Sequence, residues 1–139
     1  MNKPLNIYVV VNCQTRRNEL IRTINAMGHQ VIGLAGDALG ARMKLTGIHT
    51  DLLIMDHAPP NLQGPAAART ILETGRLPIL LLHRERNAVA ALVRAGIQAG
   101  VLGVYYWDQG TSALETAITF TVAGCQQELE VLELSLIHI

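Results

Sequence analysis

The sequence has no excess charge of either sign: eleven Lys and Arg face eleven Asp and Glu in 139 residues. A strongly basic nucleic-acid surface is therefore not evident, and only a local patch is compatible with the total. Aromatic residues make up 4% of the chain and charged residues 16%, while half of it is hydrophobic. The core must then be assembled from Ala, Val, Ile and Leu, a palette that suits a parallel sheet covered by helices. The two cysteines, Cys13 and Cys125, stand far apart and outside any C-x-x-C spacing. That argues against a disulfide framework or a structural zinc site. No apolar run approaches the roughly 20 residues that a membrane-spanning helix needs. The short apolar run in MNKPLNIYVVVN is closed by polar residues with no small-residue cleavage site after it, which argues against a signal peptide. The expectation is a cytoplasmic chain of one domain's length with no membrane partner.

What is present alternates regularly. Continuous apolar runs at 5–11, 29–36, 51–55, 77–82 and 101–106 read as strands buried on both faces. Between them lie helix-period segments: 15–28, closing on Gly28; 38–47, with Asp37 as N-cap; 65–75, opening on Pro65; and 86–100. A long final helix starts after Thr111 or Ser112, either of which can cap it. Five βα units of this kind predict a parallel sheet with helices on both faces. Function in such sheets gathers at the carboxyl ends of the strands. Here those ends are Asn12-Cys13, Gly36-Asp37, Asp56-His57, His83-Arg84 and Trp107-Asp108.

The third strand runs into DLLIMDHAPPNLQG (51–64), followed by the helix AAARTI; LPILLLH and AGVLGVYYWD come later. Together with the (βα)5 order, these stretches resemble the receiver domain of two-component response regulators over about residues 5–122. They match its D-hydrophobic-D-x-x-x-P-x-x-x-G, P-hydrophobic-T and G-A-x-G-Y-hydrophobic-x-K-P patterns. The resemblance implies a flavodoxin-like α/β fold, a (βα)5 doubly wound parallel sheet in strand order 2-1-3-4-5 with an extended C-terminal helix. It also implies that Asp56 stands at the phosphoacceptor position.

The same alignment places unusual residues around that aspartate. The acidic pair that helps to hold magnesium falls on Asn12 and Cys13, the lysine on Trp107, the reporting hydroxyl on His83 and the aromatic switch position on Val104. Magnesium held by one carboxylate and the Ala58 carbonyl competes poorly with its own hydration. A developing phosphoryl dianion facing indole instead of ammonium loses a charge-assisted partner worth about 1.5–3 kcal/mol. The expectation is slow or absent phosphorylation of Asp56, an atypical or pseudo-receiver with no catalytic role, and no cofactor, with magnesium only if the site works after all. Arg16, Arg17, Arg84 and Arg86 stand where they can approach Asp56, although solvated helix-end arginines are the simpler reading of each. His57, Arg84, Tyr105 and Tyr106 are candidate pocket or interface residues. His57, His83 and Asp56 match no metal-binding spacing and read as a polar strand-end cluster. Trp107 either anchors a partner or caps the vacated pocket.

In the last helix Leu114, Ile118, Val122, Cys125, Leu129 and Leu132 recur in steps that end four, three, four, three. This is an a/d seam, so a homodimer through this helix is expected. A receiver continuing into a coiled coil resembles the amino-terminal half of ANTAR transcription antiterminators. That resemblance implies a sensor protein or histidine kinase as upstream partner and contact with RNA only through a module beyond residue 133. The last six residues, LSLIHI, are spelled by CTG-TCT-CTT-ATA-CAC-ATC, a string that resembles the mosaic-end adapter of transposase-based sequencing libraries. Residues 134–139 are therefore expected to be an artefact, leaving 1–122 as the receiver-like domain and 123–133 as the start of an output helix. Two other readings stay open: a conventional receiver phosphorylated on Asp56, and a small-molecule-binding flavodoxin-like domain. The chain has no G-x-G-x-x-G after a strand, and Asp56 and His57 are adjacent where a cobalamin loop needs D-x-H-x-x-G.

Overall fold

The computed structural model describes residues 3–84 and 89–137, and at 89, 108 and 125–137 it describes the backbone alone. Its elements alternate as β1 (Asn6–Val10), α1 (Gln14–Ala26), β2 (Gln30–Ala35), α2 (Ala38–Leu45), β3 (Leu52–Asp56), α3 (Gly64–Leu72), β4 (Ile79–His83), α4 (Val89–Ala99), β5 (Gly103–Tyr106) and α5 (Thr111–Ile137). A single 3-10 turn, Trp107–Gln109, links β5 to α5. The strands form one parallel sheet in the order β2-β1-β3-β4-β5. This is the doubly wound (βα)5 arrangement expected from the alternation of apolar runs with helix-period segments.

The central strands explain why the runs are unbroken. Leu53 and Met55 of β3, with Tyr8 and Val10 of β1, belong to a core that includes Ala67, Ala68 and Ile71 of α3. Leu52 and Ile54, with Ile7 and Val9, belong to a second core with Leu20 and Ile24 of α1 and Leu114 and Ile118 of α5. Successive side chains point to opposite faces, so a strand covered on both faces must be apolar at every position. Asp56 ends such a strand and is itself fully buried.

Asp37 caps α2 as expected, its Oδ1 accepting the Gly40 N–H at 2.7 Å. The start of α5 differs from expectation. Thr111 is already its first helical residue, and Gly110, at φ +93°, supplies the carbonyl that accepts the Leu114 N–H at 3.2 Å. Glycine suits this place because positive φ carries no Cβ penalty there. The Tyr105 hydroxyl donates to the same carbonyl at 2.6 Å.

The seam along the last helix also needs correction. Leu114 and Ile118 are buried in the domain's own core, and Val122 packs against it. Their four-residue steps serve to seat α5 on the sheet, so Leu114 and Ile118 are not free to form a seam between protomers, whereas Val122 is only partly covered. Cys125, Leu129 and Leu132 have side chains outside the described residues; the backbone there continues as helix. Ile118→Ala is accordingly expected to lower the unfolding free energy by about 2–5 kcal/mol, measured by urea denaturation. A seam residue would instead shift a concentration-dependent dissociation.

Candidate functional site

The ends of β3, β4 and β5 bring polar side chains together at one edge of the sheet. Asp56 pairs in register with Leu82, and His83, one step on, pairs with Tyr106. Two side chains from other elements reach the Asp56 carboxylate. The Trp107 indole Nε1–H, from the 3-10 turn after β5, donates to Oδ1 at 3.0 Å. The Arg16 Nε, from the first turn of α1, lies 3.6 Å from Oδ2. The tryptophan thus caps the strand end, and the arginine brings the compensating charge. Asp56 Oδ2 and Arg16 Nε are both buried and make no hydrogen bond, so they face each other as an ion pair slightly longer than hydrogen-bonding distance.

The other candidates are spread more widely. Asn12 is exposed and Cys13 half-buried. Cys13 is the N-cap residue of α1, its carbonyl accepting the Arg17 N–H at 2.9 Å. The Cys13 thiol is held below its ordinary pKa, chiefly by the Arg16 backbone N–H. Partial burial works against this, and the charges of Arg16 and Arg84 and the Thr15 N–H work with it. Arg84 is exposed, and Arg17 turns its Nη1 to the Val11 carbonyl at 3.4 Å. Arg86 lies outside the described residues.

His57 has a local task. Its Nδ1 accepts the Gly64 N–H at 2.9 Å, which ties the end of β3 to the first turn of α3 across the proline loop. A Cβ on Gly64 would run into Leu81 and crowd His57, so glycine is what permits this close approach. His83 is buried, its ring centroid 5.5 Å from that of Tyr106, and its Nδ1 has no hydrogen-bond partner. Tyr105 is buried among core residues, whereas Tyr106 is half-buried. Val104 packs on the other core.

These residues do not suit magnesium. The Ala58 carbonyl accepts the Leu62 N–H at 3.0 Å, and both Asp56 oxygens face nitrogen donors. Asn12 and Cys13 offer an amide and a thiol to a cation that prefers several hard oxygens. Among the described residues no group of three His, Cys, Asp or Glu side chains is placed to hold a metal ion. No helix among them is long and apolar enough to cross a membrane.

Asp56 and Trp107 stand out in the sequence, but the bond between them does not. Arg16 reads there as a solvated helix-end residue, and the Tyr105–Gly110 clamp has as its sequence signal only a glycine directly before a helix that begins Thr-Ser.

Comparisons with known proteins agree with the architecture. No family model matches the chain. It is 29% identical over 101 residues to a protein-glutamate methylesterase/protein-glutamine glutaminase of Rhizobium johnstonii, an alignment covering 69% of this chain and 29% of that protein. It is 27% identical over 100 residues to a protein of the same description from Myxococcus xanthus, covering 71% and 29%. The chain therefore spans about three-tenths of the length of these curated relatives. Among solved structures, it superposes on a LuxR-family two-component response regulator from an Aurantimonas species with a TM-score of 0.75 at 25% identity, covering 88% of this chain and 87% of that one. The signal receiver domain of NarL from Mycobacterium tuberculosis gives 0.76 at 19% identity, covering 88% and 99%. The fold is that of response-regulator receiver domains, in the strand order 2-1-3-4-5.

Two outcomes follow from this geometry. Trp107→Phe removes a donor from a buried charged acceptor and is expected to cost about 1–3 kcal/mol of stability, measured by urea denaturation followed by circular dichroism. In a double-mutant cycle with Asp56→Ala most of that loss should appear as coupling. Independently, with Cys125 replaced by serine, the iodoacetamide reactivity of Cys13 should rise with pH at a midpoint below that of a free thiol. Arg16→Ala should move that midpoint upward without restoring it fully, because the residue-16 backbone N–H remains.

Proposed function

We propose that the chain is a receiver-type regulatory module of a response regulator in which the acceptor aspartate is occupied by the protein's own side chains. The observation that carries this reading is the buried Asp56, with Oδ1 accepting from the Trp107 indole and Oδ2 facing Arg16. In a working receiver one of those oxygens would attack phosphorus and the carboxylate would help to hold the metal. Here an indole stands where an ammonium would neutralise the phosphoryl oxygens, and a thiol and an amide stand where acids would hold the cation. The module then acts as a non-enzymatic, atypical receiver through protein contacts.

Output is assigned to α5, one helix from the edge of the site to Ile137. Beyond the part seated on the sheet, Cys125, Leu129 and Leu132 keep the four-and-three spacing of a dimer seam. A sensor protein or histidine kinase upstream and an ANTAR-type output domain downstream, contacting RNA in antitermination, complete the proposal. They rest on the receiver fold and the helix spacing together.

Arg16 favours a second reading. It brings a fixed cation to within 3.6 Å of the acceptor, so a phosphoryl group on Asp56 would find a charged partner. Incubation with magnesium and acetyl phosphate, followed by intact-mass measurement, separates the two. The atypical reading expects an unchanged mass. Stoichiometric phosphorylation that disappears in Asp56→Asn establishes the conventional receiver instead.

A further inference from the structure

We draw no further inference here: the strongest candidate, the half-buried Cys13 thiol at the N-terminus of α1 under the charges of Arg16 and Arg84, is a lone cysteine at a helix end, and nothing else among the described residues points to a ligand there.

Discussion

A carboxylate fully removed from water at the end of a buried strand is the constraint around which this structure is organised. Desolvating such a group costs several kcal/mol unless it is paired and hydrogen-bonded. Asp56 meets the requirement with two groups that the chain carries to it from opposite sides, an indole N–H from the turn after β5 and a guanidinium from the first turn of α1. Arg16 keeps a quarter of its side-chain surface in water, so its contribution is screened and the indole bond becomes the more demanding of the two. An indole and a guanidinium together hold one buried acid in place.

The scaffold makes this economical. A parallel sheet wound on both faces delivers the ends of β1, β3, β4 and β5 to one edge without any special loop. His57 then fixes the proline loop to α3, and the Tyr105–Gly110 clamp fixes the turn that carries Trp107. His83 is the least settled member, a buried imidazole with one nitrogen unpartnered. Its ring lies tilted against that of Tyr106.

The fold was legible because it depends on local pattern. Unbroken apolar runs such as Leu52–Met55 and ILLL at 79–82 suit strands buried on both faces, and their alternation with helix-period segments points to a parallel sheet. The candidate site was legible only in part. Position and chemistry of Asp56, Cys13 and Trp107 follow from strand ends, but whether an indole turns toward an acid is decided by a side-chain torsion across fifty residues of sequence. The last helix shows the same limit in another form. Spacing of three and four marks an apolar face without saying what covers it, and for Leu114 and Ile118 the cover is the domain's own sheet. Arg16 and Arg17 are neighbours of identical type, yet only the former reaches Asp56, because adjacent residues on a helix diverge by about 100°.

The clamp at Gly110 has a mechanical consequence. From Thr111 to Ile137 the helix has 27 residues, which at 1.5 Å each makes a rod about 40 Å long. Its foot is hydrogen-bonded to Tyr105, and the indole that grips Asp56 sits three residues before Gly110. Leu114, Ile118 and Val122 fasten the first three turns of that rod to the sheet, so it cannot pivot on its foot. The helix instead carries the orientation of the strand-end site, unchanged, to a point far from it.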